Sequence, residues 1–184
     1  MQTALDPTLS HTLEQARQPG LTLVISNKNY SSWSMRPWVA AVAFGIPFTE
    51  VRVLLDQPDT ATNIMAYSAA GRVPVLLAGD MTVWDSLAIV EYLAEQFPDK
   101  AMWPQDVAAR AMARSVVAEM HSGFAGLRSA MSMNIRARIA PRPDFVSTMR
   151  ASKSPESSRA TPTAIAWKSG EAPALASNWS AAHL

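Results

Sequence analysis

Groups suited to holding a charged ligand occur in two short segments of this chain. The first segment, residues 30–36, reads Tyr-Ser-Ser-Trp-Ser-Met-Arg and follows the apolar run 21–25. The second segment, residues 71–76, reads Gly-Arg-Val-Pro-Val-Leu and is followed by Asp85-Ser86. Serine hydroxyls and the free N–H groups of a helix N-terminus both stabilise anions. The two segments therefore supply hydroxyl donors, a helix N-terminus and a carboxylate-hydroxyl pair.

The first segment lies where a strand is predicted to pass into a helix. Residues 21–25 are apolar and end in β-branched side chains, which is typical of a buried strand, and residues 26–32 read as a loop. Ser34 suits the N-cap of a helix and Pro37 suits its first turn. The apolar stretch 38–44 continues that helix.

The second segment lies among short predicted strands. In order, the further predicted elements are a strand (48–54), a short helix (60–66), two strands (75–78 and 81–84) around the hairpin signal Gly79-Asp80, and a helix from Asp85 or Ser86 to Gln96. The order is therefore β-α-β-α-β-β-α, with the first two strands parallel and the last two in a hairpin. This order predicts a thioredoxin-like α/β domain over residues 21–97.

The composition excludes several classes of function. The chain has 184 residues, a net charge of +1 and no cysteine. Disulfide scaffolds, cysteine-ligated zinc and thiol exchange are therefore excluded, and the small net charge argues against nucleic acid as a partner. The three histidines are too scattered to indicate a metal site. No apolar run is long enough for a membrane span, and residues 1–20 read as a polar leader without a signal layout. We expect a cytoplasmic protein.

The serine segment resembles the glutathione S-transferase family, and specifically its bacterial serine-type members. The zeta class, which includes maleylacetoacetate isomerases, carries Ser-Ser-Cys-Ser where this chain has Ser-Ser-Trp-Ser at residues 31–34. The resemblance covers about residues 21–131. It implies a thioredoxin-like domain followed by an all-α domain, with glutathione as co-substrate, no metal, and a small electrophile as second substrate. A role in detoxification would follow.

The resemblance assigns Ser31 or Ser32 to the glutathione sulfur. A free thiol has a pKa near 8.5, so a hydroxyl donor and the positive end of a helix are needed to favour the reactive thiolate. Ser31 is preferred because it aligns with the first serine of the zeta pattern. Ser34 is included among the glutathione-binding residues, although a cap role alone also explains it. Tyr30 is an outside candidate, because other classes use a tyrosine hydroxyl.

The resemblance assigns the second segment to the rest of glutathione. Val73-Pro74 is similar to the family's cis-proline turn, beside Arg72, and would pair with the cysteinyl part of the ligand. A trans proline opening a strand is the alternative. Asp85 and Ser86 are similar to the acidic-serine pair that holds the γ-glutamyl end. An N-cap pair without a ligand is the alternative.

The region after the linker 98–105 is predicted to be a partial all-α domain, residues 106–138. Asp106 can cap a long amphipathic helix that continues to Met131, and a further helix can begin around residues 132–139. With Trp33, two residues of the long helix, His121 and Phe124, are candidates for the second-substrate site. A surface histidine is the alternative reading of His121.

Residues 139–184 change to an alanine-, serine- and proline-rich composition that predicts disorder. We expect this change to reflect a truncation or a frameshift, which would leave an apolar helix face exposed. The family implies a homodimer, and the loss of half of the second domain argues against it.

Three functions therefore compete. The first is a transferase or a zeta-like glutathione-dependent isomerase. The second is a glutathione-binding or protein-interaction module without turnover. The third is an inactive fragment.

Overall fold

A computed structural model describes residues 20–138 of the chain. Its elements are β1 (Leu21–Ile25), α1 (Ser32–Ala43), β2 (Thr49–Arg52), α2 (Thr60–Tyr67), β3 (Val75–Ala78), β4 (Met81–Val83), α3 (Ser86–Gln96), a 3-10 turn (Pro98–Lys100), α4 (Val107–Ser122) and α5 (Ala125–Ala130). The first seven follow the predicted β-α-β-α-β-β-α order. The thioredoxin-like fold of this domain is therefore confirmed. The predicted leader and the alanine-rich tail lie outside the described residues.

The four strands form one mixed sheet in the order β2-β1-β3-β4. β1 pairs with β2 in parallel, from Thr22 opposite Thr49 to Ile25 opposite Arg52. β3 is antiparallel to both β1 and β4. Gly79, in the turn between β3 and β4, has a φ of 59°, a conformation that glycine adopts without steric cost. This topology brings the carboxyl ends of β1 and β2 to the same edge of the sheet.

Apolar side chains cover both faces of this sheet. Alternate residues of β1 point to opposite faces, so Val24 joins one buried cluster while Leu23 and Ile25 join the other. The first cluster also contains residues of α2, and the second contains residues of α1 and α3. The domain therefore has three layers, and this packing fixes the helix ends that carry the candidate site.

The predicted start of the first helix was wrong by three residues. Ser31, rather than Ser34, is the N-cap of α1, and the Ser31 hydroxyl accepts a hydrogen bond from the Ser34 N–H. Ser34 instead lies in the first turn, and its buried hydroxyl accepts a hydrogen bond from the Ser26 N–H. That contact across the loop determines which serine caps the helix.

The single long helix predicted from Asp106 to Met131 was also wrong. Asp106 does cap it, through a hydrogen bond from the Ala109 N–H to Asp106 Oδ1. However, α4 ends at Ser122, and Phe124 has a positive φ of 62° that interrupts the helix. Residues 131–138 contain no helix, so the predicted next helix does not begin within the described residues.

The described residues fall into two compact units. One contains residues 20–122 and 131–138, and the other contains residues 123–130. In the first unit, none of the residues of α4 is buried, and Val107 is 70% exposed. The expected exposed apolar surface on this helix is therefore present in the described part of the chain. None of the described helices is long and apolar enough to cross a membrane.

Candidate functional site

Three serines form a hydrogen-bonded chain where β1 passes into α1. The Ser26 N–H donates to Ser34 Oγ at 3.0 Å, and the hydroxyls of Ser31 and Ser34 lie 2.9 Å apart. Ser34 is 1% exposed, so its hydroxyl serves this internal chain. The Ser31 hydroxyl accepts the Ser34 N–H as the cap of α1 and donates its hydrogen to Ser34 Oγ. A hydroxyl can rotate, so the same hydrogen can be donated to a ligand instead. The arrangement fixes the position of the Ser31 oxygen at the helix N-terminus.

Ser32 and Tyr30 lie on either side of Ser31 but differ from it in environment. Ser32 is the first residue of α1 and is partly buried, and its N–H donates to the Tyr30 carbonyl at 3.1 Å. Tyr30 is exposed. The structure therefore brings three hydroxyl-bearing residues to one helix end. The assignment of the sulfur to Ser31 or Ser32 stays a prediction.

The segment before β3 has the backbone form expected from the family resemblance. The Val73–Pro74 peptide bond is cis. Val73 packs against the buried cluster that contains residues of α2, while Arg72 is exposed. The contacts of these residues with glutathione stay predictions.

Asp85 and Ser86 begin α3 and have contrasting surroundings. Asp85 is the N-cap, and its Oδ1 accepts a hydrogen bond from the Leu87 N–H at 3.1 Å. Ser86 is 1% exposed, and its hydroxyl makes no hydrogen bond to any residue of the described chain. A buried hydroxyl without a partner costs about 1–3 kcal/mol relative to a satisfied one. This helix N-terminus therefore carries an unsatisfied donor beside a carboxylate.

A contact from α4 joins the two segments. His121 Nε2 lies 3.0 Å from Asp85 Oδ2, and the His121 ring meets the Trp33 ring edge-to-face at 5.1 Å between centroids. The Arg36 guanidinium lies over the Trp33 ring, with Arg36 Cζ 3.9 Å from the ring centroid. The sequence named Asp85, Trp33 and His121 in separate roles, and the structure brings them together. No local pattern signals a contact between residues so far apart in sequence.

Phe124 is the remaining candidate for the second-substrate site. Phe124 belongs to the unit of residues 123–130, where its carbonyl accepts the N–H of Arg128 at 2.9 Å. Its assignment to the second-substrate site stays a prediction. Within residues 20–138, no three His, Asp or Glu side chains come together as a group that could hold a metal ion.

Comparison with known proteins finds similarity between part of this chain and one family. Residues 30–96 match the family described as "Glutathione S-transferase, N-terminal domain". Glutathione S-transferase 1 of Dianthus caryophyllus is 37% identical over 83 residues, which cover 45% of this chain and 38% of that protein. A probable maleylacetoacetate isomerase of Caenorhabditis elegans is 29% identical over 99 residues, which cover 54% of this chain and 46% of that protein. The chain thus spans less than half the length of these two relatives.

A solved structure gives the same result at the level of the fold. A glutathione transferase homolog from Burkholderia GL BGR1, determined with bound glutathione, shares 31% sequence identity and superimposes with a TM-score of 0.50. The match covers 60% of this chain and 58% of that one. The four-stranded sheet, the cis proline and the helix N-termini agree with the match to the N-terminal domain. Residues 30–96 are therefore similar to the N-terminal domain of glutathione S-transferases.

Proposed function

We propose that the chain binds glutathione and holds its sulfur as a thiolate for attack on an electrophile. The observation that carries the proposal is the buried, unpartnered hydroxyl of Ser86 at the N-terminus of α3. A ligand carboxylate would accept that hydroxyl and the free N–H groups of the first turn. The neighbouring Asp85 carboxylate would bind an ammonium group. The γ-glutamyl end of glutathione carries both charges on one carbon.

The serine chain supports the second half of the proposal. In the structure, the Ser31 hydroxyl donates to Ser34 Oγ. We propose that this hydrogen bond reverses when glutathione binds, so that Ser34 donates to Ser31 and Ser31 donates to the sulfur. The Ser26 N–H continues to donate to Ser34 Oγ. Each hydrogen bond in such a chain polarises the next one. The positive end of α1 adds to the stabilisation of the thiolate. Ser31 thus receives the catalytic role, with Ser32 as the alternative, and Ser34 acts through Ser31.

The reaction follows from the thiolate. The thiol proton leaves to solvent, the sulfur lone pair forms a C–S bond with the electrophilic carbon, and the leaving group departs with the electrons of the broken bond. Arg72 and the Val73 backbone would orient glutathione along the end of β3. Trp33, His121 and Phe124 are proposed for the second-substrate side. No metal is required by these steps.

A second candidate is a glutathione-dependent cis–trans isomerase. The similarity to the probable maleylacetoacetate isomerase of Caenorhabditis elegans favours it. There, the thiolate would add reversibly to a conjugated double bond and leave again after rotation, so no glutathione would be consumed. Net consumption of glutathione therefore distinguishes a transferase from an isomerase.

The organisation of the chain enters the proposal as well. We assign residues 21–97 to the glutathione-binding domain, residues 98–105 to a linker and residues 106–138 to the start of an α-helical domain. A cytoplasmic location completes the proposal.

Calorimetric titration with glutathione, followed by an assay for thioether formation with 1-chloro-2,4-dinitrobenzene, tests the proposal. We expect saturable binding and a glutathione-dependent rate above the uncatalysed reaction. Binding without thioether formation or isomerisation would favour a binding module. The absence of binding would refute the proposal.

A further inference from the structure

A basic cleft of about 490 Å³ lies where β1 and β2 end. It is lined by residues 27–30 of the loop after β1, by Arg52 at the end of β2, and by Asn134, Arg136 and Ala137. Because β1 and β2 are parallel and Arg52 pairs with Ile25, this loop and Arg52 share one edge of the sheet. The walls of the cleft come from distant parts of the chain, so no local sequence pattern signals it.

Hydrogen bonds hold the far wall of the basic cleft against the loop. Asn29 Nδ2 donates to Asn134 Oδ1 at 2.8 Å, and Asn29 Oδ1 accepts from the Arg136 N–H at 3.0 Å. The Ile135 N–H also donates to the Asn29 carbonyl at 3.3 Å. Three bonds to a single asparagine therefore place Arg136 across the cleft from the loop.

The charge in the basic cleft is mainly uncompensated. Lys28 pairs with Glu50 at 2.8 Å. Neither Arg52 nor Arg136 forms an ion pair with another residue of the described chain. Two guanidinium groups at one opening favour a carboxylate, because each presents a planar fork of donors.

The basic cleft also adjoins the proposed reaction centre. Tyr30 lines the cleft and directly precedes Ser31, and both N–H groups donate to the Asn27 carbonyl, at 3.0 and 2.8 Å. A smaller apolar pocket of about 60 Å³ shares Lys28 with the cleft and is lined partly by Met35, Trp38 and Ile135. A ligand with a carboxylate and a compact apolar body would fit both openings.

We propose that the basic cleft binds the carboxylate of the second substrate, and that the chain selects anionic organic electrophiles through Arg52 and Arg136. This inference rests on the proposed function. It is distinct from the γ-glutamyl site at Ser86, which lies at the start of α3.

Binding of unreactive probes tests the inference without requiring turnover. The probes are 3-nitrobenzoate and its neutral counterpart 3-nitrobenzamide, titrated calorimetrically into the full chain with and without saturating glutathione. We expect the benzoate to bind at least tenfold more tightly than the benzamide, in the presence of glutathione as well as in its absence. In Arg52→Gln and Arg136→Gln, benzoate affinity should fall about tenfold while benzamide and glutathione affinities stay unchanged. Lys100→Gln, the same charge change at an exposed site outside the cleft, should behave as the parent chain.

Each alternative outcome has a defined meaning. Equal affinity for the two probes in the parent chain overturns the inference without reference to any variant. Benzoate affinity that is insensitive to both arginine substitutions also overturns it. If glutathione displaces the benzoate and its own affinity falls in the arginine variants, the cleft holds a carboxylate of glutathione instead. Failure of the proposed function is read separately, as the absence of glutathione binding in the parent chain.

Discussion

His121 Nε2 and Asp85 Oδ2 lie 3.0 Å apart, so a side chain of α4 holds the N-cap residue of α3. The other carboxylate oxygen of Asp85 accepts the Leu87 N–H. The same histidine ring packs on Trp33 in the first turn of α1. One residue outside the α/β core therefore contacts both helix ends at which glutathione is proposed to bind.

Replacement of Asp85 by asparagine separates its charge from its capping role. We expect glutathione affinity to fall at least tenfold, because a hydrogen bond between an ionised carboxylate and an ammonium contributes about 1.5–3 kcal/mol. The free energy of unfolding should change little, because asparagine caps a helix about as well as aspartate. Calorimetry and urea denaturation measure the two quantities. A loss of stability equal to the loss of binding would contradict this separation.

Replacement of His121 by alanine should also lower glutathione affinity, but by less than Asp85→Asn does. A partly exposed pair of this kind contributes about 0.2–1 kcal/mol, so we expect glutathione affinity to fall by about twofold to fivefold. The reason is that the Asp85 carboxylate loses a partner that orients it. Tighter binding in His121→Ala would mean that the histidine competes with the ammonium for Asp85. In the Asp85→Asn variant, adding His121→Ala should change glutathione affinity less than it does in the parent chain.

Replacement of Ser86 by alanine should move stability and binding in opposite directions. The Ser86 hydroxyl is buried without a partner in the described chain, so its removal should leave the free energy of unfolding unchanged or raise it by up to about 1 kcal/mol. Glutathione affinity should nevertheless fall about tenfold, because the ligand carboxylate loses a donor. Denaturation without ligand and calorimetric titration measure these effects.

Ser68 provides the control for this reversal. It is also buried, but its hydroxyl accepts a hydrogen bond from the Ala70 N–H at 3.2 Å. Ser68→Ala should therefore lower the free energy of unfolding by about 1 kcal/mol. If Ser86→Ala is destabilising by the same amount, the Ser86 hydroxyl has a structural partner and the main support for the proposed function is lost.

Alanine substitutions at Ser31 and Ser32 should distinguish the two candidates for the sulfur. Ser31→Ala should lower turnover about a hundredfold, which is the usual effect of removing one hydrogen-bond donor to a developing anion. It should also lower the free energy of unfolding by about 0.5–2 kcal/mol, because Ser31 is the N-cap of α1. Ser31→Thr, which keeps a hydroxyl and a capping oxygen, should recover much of both. Ser32→Ala should have the smaller effect on turnover. A larger loss in Ser32→Ala, measured at saturating glutathione, would assign the thiolate to Ser32.

The sequence predicted the elements better than it predicted their ends. Strand and helix order depends on local periodicity, which is visible in the chain. The start of α1 could not be predicted in this way, because Ser31 and Ser34 are both competent caps. The choice depends on Ser34 meeting the Ser26 N–H across the loop. The end of α4 could have been predicted from Gly123, because glycine weakens a helix interior.

The candidate site also contains features that depend on local sequence and features that do not. Ser31, Asp85 and Ser86 could be named as candidates from the sequence because each lies in a short motif beside a helix start. The pairing of Asp85 with His121, and the cleft formed by Arg52 and Arg136, depend on contacts between distant segments. A single sequence contains no local pattern for such contacts.

Replacement of Tyr67 by phenylalanine should change how stability depends on alkaline pH. Tyr67, the last residue of α2, is 4% exposed in a buried cluster, and burial raises the pKa of its phenol above the ordinary value. Above about pH 10, the unfolded chain therefore loses the phenolic proton while the folded chain keeps it. The free energy of unfolding should fall as pH rises through this range, by up to about 1.4 kcal/mol per pH unit from this group. In Tyr67→Phe, this contribution should be absent. Urea denaturation between about pH 9 and pH 11.5 measures the slopes, and equal slopes in the parent chain and Tyr67→Phe would show that the phenol ionises equally in both states.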